Sequence, residues 1–308
     1  MTLSYKILWI EDTPKAVRAK KRIIKHYLEN EKGYTCEIKE IDNFNSFEQD
    51  IGYVKTSNYD LLLVDLDLGS EDEHHNGNDI IKRIRDENIY TEIIFYSSQY
   101  ENLMSIITNP FIEGIFTSER DMLDTKVKKI IDVTIKKVQD VNNLRGLIMA
   151  EVAELDLIKE EIIQKASEKV PSKSLERYTL KKIKSSGQSS KSQAERHIEN
   201  ISEVTFNSLF QKIGFIDSNK KAMAIGEALD KLNITEPVTK ATFTQPYIDN
   251  ILDKRNKFAH IKECEREDDN GNKCWFIGDI PFTEEKCIEI RKEIREYRKI
   301  LEDIKTAV

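Results

Sequence analysis

Long apolar runs are missing from this chain of 308 residues. No stretch approaches the ~18 consecutive apolar residues of a membrane-crossing helix, so no span is expected. The opening Met1 to Asp12 is too short in apolar residues for a secretory signal, and two carboxylates end it. Cysteine is sparse. Cys36, Cys264, Cys274 and Cys287 form no CxxC pair, which removes the common redox motif and fits a reduced, cytoplasmic setting. Proline is absent between Pro110 and Pro171, leaving that segment free to be helical. Positive charge is not in excess either. A net charge of −7 with 33% charged residues argues against wholesale coating of nucleic acid, and the length suits about two domains. No internal repeat is apparent.

What the chain does have is a set of apolar runs that each deliver a polar group. Leu61 to Val64 read as a strand covered on both faces, and Asp65 follows at its end, the ligand-binding edge of an open α/β sheet. Lys6 to Ile10 deliver Glu11 and Asp12, with Pro14 suited to the first turn of a helix. Ile93 to Tyr96 deliver Ser97 and Ser98. Hard oxygen ligands plus a hydroxyl form a divalent-metal and phosphoryl-transfer constellation, with the chemistry on Asp65. Any one of these carboxylates alone would more often be a helix cap. Their coincidence carries the reading.

This order and spacing resembles the receiver domain of two-component response regulators over residues 4–125. The resemblance implies that Glu11, Asp12, Asp65 and the backbone carbonyl of Asp67 hold Mg²⁺, that Asp65 is phosphorylated, and that Ser97 is the switch hydroxyl. A histidine kinase or other phosphodonor would be the partner. Two departures stand out. The family's lysine at the end of the fifth strand is absent from Gly114 to Arg120, where Arg120 could reach the phosphate, and arginine is not equivalent to lysine. The loop from Asp65 to Gly77 is long, and Glu71-Asp-Glu-His-His75 within it reads as a solvated insertion before a transition-metal site.

Helices are expected over 14–30, 44–55, 77–89 and 99–109, alternating with strands, which predicts a doubly wound, flavodoxin-like parallel sheet of five strands. Beyond it, Val127, Ile131, Thr134, Val138, Val141, Leu144, Ile148, Val152, Leu155, Ile158 and Ile162 recur at three- and four-residue intervals. That is a coiled-coil-like stripe on one long helix or two end to end, needing a partner surface such as a second copy. Residues 165–194 are rich in Ser and Lys and read as a flexible basic connection, with an RNA-backbone contact as the functional alternative. Helical patterns return over 195–213, 218–232, 245–260 and 282–306, the last capped by Thr283. Asp269-Asn-Gly-Asn272 marks a hairpin with arms Ile261–Arg266 and Lys273–Ile277. The second half is therefore expected to be an all-α bundle carrying a small β-hairpin.

Arg255-Asn-Lys-Phe-Ala-His260 is a second constellation. Histidine can move a proton on or off a ribose hydroxyl, arginine can stabilise phosphorane charge, and Asn256 lies one helical turn before His260 to orient its ring. The motif is similar to the Arg-x4–6-His signature of HEPN domains, which implies a metal-independent RNase site built across a homodimer and an output domain over about 140–308. The bland alternative is that Arg255 snorkels beside Ile248, Ile251 and Leu252. His260, Cys264, Cys274 and Cys287 could suggest zinc, but their spacing fits no common module, and three buried thiols are expected.

The boundaries expected are a receiver at 1–125, a connector and first output helix at 126–164, the basic segment at 165–194, and a HEPN-like domain at 195–308. The function expected is a cytoplasmic response regulator whose Asp65 controls a homodimeric endoribonuclease acting on RNA. The alternative is a non-enzymatic adaptor whose helical domain dimerises or binds a protein.

Overall fold

A computed structural model describes residues 3–56, 59–69, 76–107, 114–138, 141–170, 173–184, 195, 216–267 and 273–308. The contacts divide the chain into two compact units that meet in sequence at Asp140 and Val141.

The first unit alternates strand and helix: β1 Ser4–Ile10, α1 Arg18–His26, β2 Thr35–Ile41, α2 Phe44–Thr56, β3 Leu61–Asp65, α3 Gly77–Asp86, β4 Ile93–Ser97, α4 Tyr100–Ile107, β5 Ile115–Glu119 and α5 Leu123–Val138. All strand pairs are parallel, in the order β2-β1-β3-β4-β5. This is the flavodoxin-like, doubly wound sheet expected from the sequence. Alternate residues of each strand feed opposite cores. Ile7, Trp9, Leu61, Leu63 and Tyr96 pack with Ile24 of α1 and Val127 and Ile131 of α5. Leu8, Ile10, Leu62, Val64 and Phe95 pack with Phe47, Ile80, Ile84 and Leu103 of α2, α3 and α4. With both faces covered, β3 and β4 are buried at every residue, which is why they read as continuous apolar runs. Pro14 lies outside the helix: turns through Ala16 N–H to Thr13 O and Arg18 N–H to Lys15 O delay α1 to Arg18. A π-helical stretch, Tyr27–Lys32, continues α1 and closes at Gly33 in the left-handed region.

The second unit is helical: α6 Val141–Lys169, α7 Ser174–Lys184, α8 Ser218–Lys231, α9 Lys240–Tyr247, α10 Asp253–His260 and α11 Glu284–Ala307. A π-helical stretch, Ile248–Leu252, joins α9 to α10 just after Pro246, which has no N–H to continue the α ladder. The helix expected from 245 thus starts at Lys240, where Thr239 and Thr242 form a reciprocal cap. Asp217 and Thr283 cap α8 and α11. Helix α6 packs against α8, α10 and α11, and α8 packs against α7 and α9. At Gly226 a Cβ would lie 2.1 Å from Thr244 Oγ1, so glycine sets the closeness of α8 to α9. The hairpin strands are β6 Cys264–Glu267 and β7 Lys273–Ile277, and a two-residue strand β8, Ile280–Pro281, adds to them antiparallel. Its turn, 269–272, lies outside the described residues.

Four expectations need correction. The first unit runs past 125, because α5 returns to pack on α1. The stripe from Val127 to Ile162 is two stripes, not one: Val127 and Ile131 are buried in the first unit, and Leu144, Ile148, Val152, Leu155, Ile158 and Ile162 are buried in the chain as well. Among the described residues the stripe therefore gives no surplus apolar face to argue for a dimer. The basic segment 165–194 is helical at both described parts: α6 runs to Lys169, and α7 buries Leu175, Thr179, Leu180 and Ile183. An apolar face at helical spacing was hidden among its lysines. Residues 185–194 and 196–215, with the helix expected over 195–213, lie outside the description apart from Glu195. Finally, of the three thiols expected to be buried, Cys287 is, while Cys264 and Cys274 are half-buried on the hairpin.

Candidate functional site

Parallel strands end at the same edge of the sheet, so β1, β3 and β4 bring Glu11, Asp12, Asp65 and Ser97 together. Register fixes the depth: Ile10 lies beside Val64, and Asp65 beside Tyr96. Carboxylate oxygens of Glu11, Asp12 and Asp65 all lie within 4.8 Å of one another. Asp65 is fully buried. Its Oδ2 accepts from Arg120 Nη2, while Oδ1 is buried with no hydrogen-bond partner among the described residues. Burial pushes the Asp65 carboxyl up to about 8, reinforced by the charge of Glu11 and opposed by Arg120.

Arg120 follows β5, and its backbone N–H is fixed on Ser97 O at 2.9 Å. Its Nη2 also lies 3.6 Å from Glu11 Oε1. The arginine thus stands where the resemblance expected a lysine. Glu11 is buried too, and burial raises its carboxyl against the opposing pull of Tyr96 and Arg120. Asp12, half-buried, accepts from Gly69 N–H at 2.8 Å and Thr13 Oγ1 at 3.1 Å. The buried Ser97 hydroxyl donates to Asp67 Oδ2 at 3.4 Å and accepts from Gln99 N–H at 2.9 Å. Ser98 is exposed beside it. A cavity of about 460 Å³ opens next to Arg120, bounded by Gln99, Tyr100 and Glu119 among others. The acidic loop with His74 and His75 lies outside the described residues.

Three hard carboxylates around an oxygen with no partner fit a small divalent cation. Sequence reasoning missed Tyr96, whose hydroxyl donates to Glu11 Oε2 at 2.7 Å. A hydroxyl inside a buried apolar run must find a partner, but the sequence does not say which.

In the second unit, α10 leaves Arg255 half-buried and Asn256 and His260 exposed. No side-chain hydrogen bond or ion pair joins the three among the described residues. Arg255 and His260, five residues apart, point about 140° apart around the helix axis. Asn256 and His260 share a face. Close to Arg255 lies a network that no sequence motif marks. Lys159 of α6 is fully buried, its Nζ 2.5 Å from Asp156 Oδ1, 2.6 Å from Ser218 Oγ and 4.5 Å from the centre of the Tyr247 ring. Burial lowers the Lys159 ammonium to about 8 against the pull of Asp156, with Lys221 and Arg255 adding to the lowering. Ser218 donates in turn to Asp156 Oδ1 at 2.6 Å.

No family model and no curated protein matches this chain. Among solved structures it is similar to the signal receiver domain of a LuxO repressor protein from Vibrio parahaemolyticus, at 16% identity and TM-score 0.31, covering 44% of this chain and 92% of that one. A response regulator receiver domain from Francisella gives 18% identity and TM-score 0.31, covering 43% of this chain and 98% of that one. A CheY-like receiver domain protein from Methanospirillum hungatei JF-1 gives 16% and 0.31 over the same shares. These likenesses span less than half of this chain.

Proposed function

We propose that the first unit is a phosphoacceptor receiver and the chain a response regulator. The observation that carries this is Asp65: buried at a strand end, ringed by two further carboxylates, with one oxygen lacking a hydrogen-bond partner among the described residues. Asp65 attacks phosphorus of a small phosphodonor or a phosphohistidine. An Asp65 O–P bond forms as the bond to the leaving group breaks, and the leaving group carries away its electron pair. Glu11, Asp12, Asp65 and Asp67 are the residues that would hold Mg²⁺, which when bound neutralises charge on the transferring phosphoryl group. Arg120, already on Asp65, moves to the new phosphoryl oxygens. Ser97 exchanges Asp67 for the same oxygens. Incubation with Mg²⁺ and a small phosphodonor should add one phosphoryl mass at Asp65. Labelling that persists in Asp65→Asn, or is absent from the wild type with every donor, overturns the reading.

For the second unit we propose a HEPN-like output domain in which Arg255 and His260 cleave RNA without a metal. The support is chemical: Arg255 carries a charge with no side-chain partner among the described residues, and His260 is exposed at a helix end with Asn256 one turn before it. Because the two point apart, the composite site needs a second copy of the chain. A labelled RNA pool should be cut in EDTA, leaving 2′,3′-cyclic phosphate ends, and His260→Ala should reduce the rate by about 100-fold or more. The same divergence of side chains favours the second reading, a non-enzymatic adaptor, and that reading stands if pure protein leaves RNA intact.

A further inference from the structure

The acidic site is tied to the interior of the sheet by a relay. Trp9 Nε1 donates to Tyr96 Oη at 2.7 Å, and Tyr96 Oη donates to Glu11 Oε2 at 2.7 Å. Glu11 is 2% exposed, and Trp9 and Tyr96 not at all. The other Glu11 oxygen serves elsewhere: Oε1 accepts from Thr13 N–H at 3.2 Å and lies 3.6 Å from Arg120. One oxygen is anchored and the other is offered to cations. Tyr96 makes a second contact with its face, which lies 5.9 Å from the guanidinium carbon of Arg120. It therefore touches both groups that flank Asp65, from the register position beside that residue.

We propose that Tyr96 is the positioning residue of the cation site: its hydroxyl anchors Glu11 so that Oε1 is presented beside Asp65, and its ring seats Arg120. This rests on the reading of Asp65, Glu11 and Asp12 as a divalent-cation site. A small divalent ion demands ligands at fixed distances, so a carboxylate that has lost its anchor is a poorer ligand. Buried Glu11 without the hydroxyl also leaves an acceptor unpaired and turns to seek another donor. Removing such an outer partner typically costs about 10- to 100-fold in metal affinity. A tyrosine that only fills the core would change stability and leave affinity alone.

The test uses the full chain carrying Trp275→Phe, so that Trp9 is the one tryptophan left. Mg²⁺ or Mn²⁺ alone is titrated, with no phosphodonor, by calorimetry and by Trp9 emission. The ion should bind and shift Trp9 emission, since Trp9 lies two hydrogen bonds from a ligand. Tyr96→Phe, which keeps the ring, should bind the ion about 10-fold more weakly or worse, with the Trp9 response lost. Equal affinity in Tyr96→Phe overturns the inference and leaves the cation site standing. No ion binding by the parent protein overturns both. Should Tyr96→Phe fail to fold, the parent decides: unchanged Trp9 emission at calorimetric saturation sinks the relay, and a shift supports it.

Discussion

Each unit of this protein buries a charge-bearing side chain completely, and the two burials differ in kind. Among the described residues, Asp65 in the first unit keeps an oxygen with no partner, and the one cation on it, Arg120, comes from a strand end. Lys159 in the second unit is enclosed by Asp156, Ser218 and the Tyr247 ring. An open buried charge costs stability and keeps chemistry available, whereas a closed one fixes α6 against α8 and α9. The lesson is that burial alone does not mark a site. At Asp65 the mark is an unpartnered oxygen set beside two further carboxylates.

The comparison breaks most sharply on paired substitutions, read with the tryptophan native to each unit, Trp9 or Trp275. Asp65→Asn should abolish phosphoryl labelling outright while leaving the first unit as stable as before, or more so, because burial already works against the Asp65 charge. Lys159→Ala should do the reverse. Truncating a fully buried long side chain leaves a cavity and costs about 2–5 kcal/mol, so the Trp275 unfolding transition should move to markedly lower denaturant while labelling persists. A destabilised Asp65→Asn together with an unaffected Lys159→Ala would invert the assignment of site and lock.

A pH series sharpens the same contrast. Lys159 is held at about 8 in the folded protein, below the ordinary lysine value of 10.5. Between those values the unfolded chain binds the proton and the folded chain does not, so stability rises with pH across that window. The full cost of the buried charge is present below it. The slope should approach about 1.4 kcal/mol per pH unit at most. Chemical unfolding followed at Trp275 from pH 7 to 10.5 should show this rise in wild type and not in Lys159→Ala.

Gly77 supplies the next test. A Cβ there would lie 2.0 Å from the Asp65 carbonyl oxygen and 2.9 Å from Phe95 Cε2. Gly77→Ala must therefore push on the backbone that carries Asp65, at about 1–3 kcal/mol, the usual range for overpacking. Labelling should slow without vanishing. Wild-type labelling rates in Gly77→Ala would show that the strand end tolerates movement.

Most of the first unit was legible because its central strands, β3 and β4, are buried on both faces. Leu61 to Val64 and Ile93 to Tyr96 have no other use for such runs, and the polar residue after each run is forced to the sheet edge. Arg120 was nameable from its place after β5. Tyr96 was not, because an aromatic inside an apolar run reads as core until the position of its hydroxyl is known. The second unit was legible only in outline. Its caps at Asp217 and Thr283 announce helices, but Lys159 sits among charged neighbours of α6 where nothing local marks it as interior. Its partner Ser218 is 59 residues away in sequence. The long stripe misled for a related reason: periodicity reports that a face is covered, not by what. The two halves of this one were covered by two different cores.

The smallest effect is expected at Ser218, the hinge of the closed network. Its hydroxyl accepts from Lys159 Nζ and donates to Asp156 Oδ1, each at 2.6 Å, so Ser218→Ala removes both bonds but leaves Lys159 and Asp156 in direct contact. One remaining partner keeps the charge compensated, and the loss should be about 1–2 kcal/mol, well short of Lys159→Ala. The Trp275 transition should move by that amount and the Trp9 transition should not move. If Lys159, Asp156 and Ser218 act as one network, combining Ser218→Ala with Lys159→Ala should cost less than the sum of the two. Strict additivity would mean that Ser218 and Lys159 stabilise the unit independently, and the closed half of the comparison would lose its basis.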